Sequence, residues 1–334
     1  MKKSDIVYVI GAGFSAEASI PTQKDILRYV EKLDVKDMDV GSGIAPILIN
    51  KIFLPYIYKK DEEICDSALL EDIYTMLDSS ILKNRNIGIF DPKALINVRT
   101  ALDQCVLKVV QKQLSKKSID FYKRKLKLIL SKKVSFISTN WDSVLEDILI
   151  KMGYKINYCF NEGNNINKIP VIKPHGSLNW KYCQNCNQIF FNDSLKNIKE
   201  CDRCQCNDKG NENKYISYYN SVTRSPLEKK LLPLFTSPTF IKNSFLPYFN
   251  IIFKRMLEEL SFAKEIVFIG YSLPVSDHDI REVLIRANIV NHKAQIKVVL
   301  LEKNRNKQKN LRNNFLSIYD KKRIIFDFEG LSKI

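Results

Sequence analysis

The sequence predicts an α/β protein: a parallel sheet covered by helices on both faces, joined by a smaller helical module that also carries a cysteine-rich section. Three observations carry this expectation. Short apolar runs such as IVYVI, VSFIST, EIVFIG and QIKVVLLE have the length and continuity of strands buried on both faces. Segments with apolar residues every three or four positions separate them, and that alternation describes a parallel sheet. Residues 41–132 and 181–220 break the alternation, the first by being helical throughout and the second by being polar and rich in cysteine.

The first run ends in a glycine turn, VIGAGFSAEASIPT, and TQKDILRYVEKL continues at helical spacing, with Thr22 placed as its N-cap and Asp25 three residues later. Strand, glycine turn and helix open a Rossmann-like unit, in which the backbone N–H groups of Gly11, Ala12 and Gly13 are placed to face a phosphate. The usual dinucleotide fingerprint has a third glycine where this chain has Ala16. The same twenty residues also mimic a secretory leader, with Lys2, Lys3 and Ala16-Glu17-Ala18, but Asp5 interrupts the approach to the apolar run and the buried-strand reading is preferred.

SALLEDIYTMLDSSIL and ALINVRTALDQCVLKVVQKQL give residues 41–132 their helical pattern. Alternation resumes with VSFIST, the helical SVLEDILIKMG, the short YKINY and IPVIKPHGS. Beyond the cysteines come the helical PYFNIIFKRMLEELSFA, the strand EIVFIG, the helical DHDIREVLIRANIV, the strand QIKVVLLE and a last strand in RIIFDF. The expected organisation is a Rossmann-like domain from residues 1–40, 133–180 and 221–334, a helical insertion at 41–132, and a cysteine module at 181–220.

Several strand ends gather polar residues, where open parallel sheets bind ligands. FISTNWDSVLED places Asn140 and Asp142 there, although Asp142 or Ser143 could equally cap the next helix. VIKPHGSLNW places His175 directly after a strand, where a neutral imidazole can accept a proton, and the following Gly176 permits close approach. His278 and His292, on or near a surface helix, read as structural. IVFIGYSLPVSDHD adds Gly270 and Ser272. In CQNCNQIFFNDSLKNIKECDRCQC, Cys183 and Cys186 form one C-x-x-C pair and Cys201 and Cys204 another, the spacing of a closed structural zinc site, with Cys206 an alternative fourth ligand. Cys65, Cys105 and Cys159 read as buried thiols, and this usage of cysteine expects a reducing, cytoplasmic setting.

Lys and Arg number 53 against 37 acidic residues, a net charge of +16, concentrated in YKRKLKLILSKK and KNRNKQKNLRNN. That balance favours anionic partners, nucleic acid among them. No aromatic residues interleave the basic runs as stacking platforms, which fits a solvated lysine-rich surface. No stretch reaches the roughly 18 apolar residues of a membrane span, so a membrane partner is not expected.

Taken in order, GAGFS, TNWD, HG, the paired C-x-x-C and GYS resemble the sirtuin superfamily, over residues 6 to about 304. The resemblance implies a sirtuin-type fold that uses NAD as a substrate. It implies that Gly11, Ala12, Gly13 and Ser15 contact the phosphates and ribose, with Pro21 and Thr22 bordering the site. Asn140 and Asp142 would line the nicotinamide and ribose pocket, His175 would be the catalytic histidine, and Gly270, Ser272 and Asn304 would lie towards the adenosine half. Two features depart from protein-deacylating sirtuins: SIPTQK stands where they carry GIPDFR, and LLPLFTSPTFIKNS stands where they carry a peptide-holding phenylalanine-glycine-glutamate strand. PTFIK, KPHGSLNW and GYSLPVSDHDI are similar instead to bacterial sirtuin-like enzymes that hydrolyse NAD, many of them in antiphage defence. The implied activity is an NAD+ hydrolase releasing nicotinamide and ADP-ribose, controlled by a homo-oligomer or a partner protein. A protein deacylase and a non-catalytic NAD-sensing or nucleic-acid-binding module are the alternatives.

Overall fold

The computed structural model describes residues 4–22, 25–38, 44–58, 69–111, 115–130, 132–160, 167–183, 189–191, 231–236 and 247–331. Its elements run in the order β1 (Ile6–Ile10), α1 (Ala12–Ala16), α2 (Ile26–Glu31), α3 (Ile44–Ile47), a π-helical turn (Leu48–Phe53), α4 (Leu54–Tyr58), α5 (Leu70–Leu82), α6 (Pro92–Val110) and α7 (Lys116–Ile129). They continue with β2 (Val134–Ser138), α8 (Val144–Lys151), β3 (Lys155–Asn157), β4 (Lys168–Ile172), β5 (Gly176–Cys183), β6 (Ile189–Phe191) and β7 (Leu231–Phe235). The last are α9 (Pro247–Phe262), β8 (Glu265–Ile269), α10 (His278–Val290), β9 (Gln295–Val299), α11 (Arg305–Leu316) and β10 (Ile324–Asp327). No helix among the described residues is long and apolar enough to cross a membrane.

The chain forms two units. The first, Met1–Ile20 with Gln113–Pro174 and Ser244–Ile334, holds a seven-stranded sheet in the order β10-β9-β8-β1-β2-β4-β3. Every paired neighbour in it is parallel, as the continuous apolar runs predicted. All five residues of β1 and all five of β2 are buried, because helices cover both faces and leave no solvent side for polar residues to alternate onto. From β1 the chain steps to β2 on one side and later returns to β8 on the other. The connections from β1 and β8 thus lead to strands on opposite sides, which makes their carboxyl ends a topological switch point, the place where open parallel sheets bind ligands.

The second unit, Pro21–Lys112 with His175–Asn243, packs α2 and α5 against α6 and adds a three-stranded antiparallel sheet in the order β6-β5-β7. In α6, Pro92 occupies the first turn, where its missing N–H is not needed, and the Asp91 side chain accepts from Ala94 N at 2.7 Å as the cap. Helix α2 begins three residues later than the TQKDILRYVEKL pattern expected, with its N-cap at Asp25 and not at Thr22. Thr22 accepts from Asp25 N at 2.8 Å and Ile26 N at 3.1 Å through its carbonyl, and its hydroxyl donates to the Asp25 carboxylate at 2.6 Å. Gly176 lies at φ +72°, and a Cβ there would stand 2.7 Å from Phe235 Cα. What approaches the glycine after His175 is thus the backbone of β7.

Candidate functional site

The site grows from the way two strand ends interlock in the first unit. Gly11 N donates to Ile269 O at 3.0 Å and Gly13 N to Gly270 O at 2.9 Å, so the turn after β1 lies against the turn after β8. Contact this close needs glycine on both sides. A Cβ on Gly11 would stand 2.6 Å from Tyr271 Cα, and one on Gly13 would stand 2.8 Å from Gly270 Cα. The Gly11 and Gly13 amides thus join the two strand ends. Ala12 opens the five-residue α1, and Phe14 N, two residues on, donates back to Gly11 O at 2.9 Å.

Against this turn the end of β2 brings Asn140 and Asp142. Thr139 N reaches Ile10 O at 2.9 Å, which fixes the start of the TNWD turn. Asn140 Nδ2 donates to Gly11 O at 3.1 Å and to Ser15 Oγ at 3.0 Å. A carbonyl can only accept, so the nitrogen faces Gly11, and with both its hydrogens taken the atom Asn140 offers a ligand is Oδ1. Ser15 in turn donates to Asp142 Oδ1 at 3.0 Å, and that oxygen also accepts from Val144 N at 3.0 Å. The aspartate therefore both closes the turn into α8, whose N-cap is Ser143, and anchors Ser15. Ser15, Asn140 and Asp142 are all buried. Burial pushes the Asp142 carboxyl above the usual aspartate range, and the nearby Lys173 charge together with the Val144 and Ser15 bonds opposes the rise.

Sequence reasoning missed the layer beneath. Lys173, fully buried after β4, donates from Nζ to Asp142 O at 2.7 Å and to Glu146 Oε1 at 2.6 Å. Tyr122 on α7 donates its hydroxyl to Phe14 O and packs on the Phe14 ring at 4.8 Å between centroids. KPHG and SVLED contain the charged pair, but no spacing announces that residues 27 apart will meet.

The remaining candidates are divided between the two units. Gly270 belongs to the interlock, at φ +64°. Ser272 is exposed beyond it, and its carbonyl accepts from Asn314 Nδ2 at 3.1 Å. Asn304 caps α11: its side chain accepts from Asn306 N at 3.0 Å and Lys307 N at 3.1 Å. Pro21, Thr22 and His175 belong to the second unit, where His175 O accepts from Thr236 N at 2.9 Å. His278 and His292 are exposed, in keeping with a surface role. Cys105 and Cys159 are buried, and burial pushes both thiols up to about 12, so neither is reactive at neutral pH. Cys183 ends β5, while Cys186, Cys201, Cys204, Cys206 and Cys65 lie outside the described residues. Among the described residues, no group of three or more His, Cys, Asp or Glu side chains is placed to hold a metal ion.

No curated protein matches the chain. Among solved structures, a Sir2 homologue in complex with NAD aligns at 17% identity over 99% of this chain and 86% of its own, with a TM-score of 0.44. A variant Sir2 homologue with ADP-ribose aligns at 16% identity over 99% and 88%, with a TM-score of 0.43. A structure described as addressing sirtuin substrate affinity aligns at 12% identity over 99% and 90%, with a TM-score of 0.41. The family model for the SIR2-like domain matches residues 134–322, a span that starts at β2, takes in Asn140, Asp142 and Lys173, and ends at the threshold of β10. Since that span is more than half of the chain, the protein belongs to the SIR2-like domain family.

Proposed function

We propose that this chain is an NAD+ glycohydrolase that releases nicotinamide and ADP-ribose, with water as the nucleophile. The observation that carries the reading is the buried network Asn140–Ser15–Asp142 at the switch point of a SIR2-like chain, with Asn140 Oδ1 directed as an acceptor. Nicotinamide departs as a neutral molecule from a positively charged ring, so the reaction needs no general acid. It needs the dinucleotide held and a nucleophile oriented at the anomeric carbon, which fixed dipoles supply. Asn140 Oδ1 accepts a hydrogen from that water or from a ribose hydroxyl. Asp142 holds Ser15, and the turn of Gly11, Ala12 and Gly13 gives the pyrophosphate a close backbone surface. Gly270, Ser272 and Asn304 are assigned to the adenosine side, and Pro21 and Thr22 to the border of the site, on the resemblance alone. His175 serves as general base, a role worth on the order of 10²- to 10⁴-fold.

Cys183, Cys186, Cys201 and Cys204, with Cys206 as the alternative fourth ligand, hold a structural zinc ion. Two C-x-x-C pairs supply the four thiolates of a closed tetrahedral shell, which fits a metal that stabilises its module and leaves catalysis to the other residues. A role in bacterial antiphage defence, a cytoplasmic setting and control by a homo-oligomer or partner protein complete the proposal, on the resemblance of KPHGSLNW and GYSLPVSDHDI.

Purified protein incubated with NAD alone tests this. Nicotinamide and free ADP-ribose are expected in equal amounts without any peptide, with at least about a hundredfold loss in Asn140→Ala and in His175→Ala. Products that form only when an acyl-lysine peptide is added would establish the deacylase reading instead. One observation favours that second reading: among the described residues β7 is an edge strand of its sheet, and an edge can pair with an extended peptide. Pro233 at its centre has no N–H to give, which weakens such pairing.

A further inference from the structure

Lys173 and Glu146 place two opposite charges where no solvent reaches, 2.6 Å apart and with side-chain exposures of 0% and 1%. An apolar pair of the same volume would fill this space without the cost of stripping two ions of water, so stability alone gives weak reason for the pair. What an apolar pair would not provide is the second bond of the ammonium, from Nζ to the backbone carbonyl of Asp142 at 2.7 Å. That bond pins the TNWD turn between the end of β2 and the start of α8. The pinned residue fixes Ser15 through its carboxylate, and Ser15 Oγ receives one hydrogen of Asn140 Nδ2. The second hydrogen goes to Gly11 O, so the rotation of the Asn140 amide depends on where Ser15 is held. Glu146 holds the other side of the ammonium through Oε1, while its Oε2 finds no hydrogen-bond partner among the described residues.

We propose that Lys173 and Glu146 are positioning residues for the cleavage of NAD: through Asp142 and Ser15 they set the direction in which Asn140 presents Oδ1. The proposal rests on the glycohydrolase reading for its reaction. A misplacement of about 1 Å at a reacting group costs up to roughly a hundredfold in rate. The test replaces the ion pair by an apolar one, Lys173→Met with Glu146→Leu, which removes the pin and both members of the pair together. This double variant is expected to keep the wild-type melting temperature within a few degrees and the KM for NAD within about threefold, while kcat falls about tenfold or more. Adding Asn140→Ala should lower kcat no further than Asn140→Ala does alone, since Lys173 acts through that amide. Wild-type kcat in the stable double variant, or losses that multiply with Asn140→Ala, would overturn the proposal. A second readout does not need turnover: the side-chain amide resonances of Asn140 in nitrogen-15-labelled protein should shift in the double variant and stay in place in Glu282→Gln, a control at an exposed ion pair. If wild type fails to cleave NAD the glycohydrolase reading falls, and an unmoved Asn140 resonance then overturns the positioning role by itself.

Discussion

Gly270 shows how much of the site rests on one residue without a side chain. It sits at φ +64°, a region that suits glycine, and a Cβ there would stand 2.7 Å from Gly13 Cα. Gly270→Ala should destabilise the protein by about 1–3 kcal/mol from the backbone term alone. Equilibrium unfolding in denaturant would measure this, and a variant as stable as wild type would show that the two turns are not interlocked. Asp142 makes the matching electrostatic argument. Burial raises its carboxyl pKa, so the native state retains a proton that the unfolded chain releases near the usual 3.8. Its contribution is therefore most favourable below that value and declines as pH rises through the folded one. Asp142→Asn keeps an oxygen to accept from Ser15 and removes the titration, so its stability should fall less steeply than that of wild type from pH 4 towards neutrality. Parallel slopes in a pH series of melts would contradict this.

Helices α5 and α6 are joined by charge as well as by apolar packing. Arg99, buried on α6, pairs with Asp78 on α5 at 2.8 Å and with Asp103 one turn along its own helix, and its guanidinium lies 4.2 Å from the Tyr74 ring centroid. Tyr74 also donates to Asp103 Oδ1 at 2.9 Å. Removing the cation would leave two buried carboxylates facing each other, so Arg99→Met should cost about 3–5 kcal/mol, read as a lower unfolding midpoint. A loss under about 1 kcal/mol would mean that water reaches the pair. At this scale the sequence was readable wherever one element settles its own pattern. IVYVI, VSFIS and EIVFI announce themselves because both faces are buried, and the insertion announces itself by helical spacing. The β6-β5-β7 sheet did not, because GSLNWKYC mixes polar and apolar residues and its partner LLPLF arrives about fifty residues later. Lys173 was hidden for the same reason: its partners are chosen by tertiary approach, and a lysine after a strand ordinarily reads as solvated.

Across the whole molecule, the net charge of +16 sets what surrounds the protein in solution. Helix α11 carries Arg305, Lys307, Lys309 and Arg312 with no acidic residue, and all four are exposed. Lys303 and Lys321 add to the cationic side chains near its ends. Arg312 lies over the Phe326 and Phe328 rings at 4.6 and 4.9 Å, so those two aromatic faces are already engaged by a cation of the same chain. A surface of this kind attracts phosphate backbones through counterion release and has no evident means of reading base edges. The expected behaviour is retardation of a short DNA duplex at about 50 mM salt, with affinity falling by several orders of magnitude by about 200 mM and no preference among sequences. NAD cleavage should be indifferent to that duplex. Binding that survives at high salt, or turnover that appears only when nucleic acid is present, would reassign the basic face from a solvated surface to a recognition element and make nucleic acid a controlling partner.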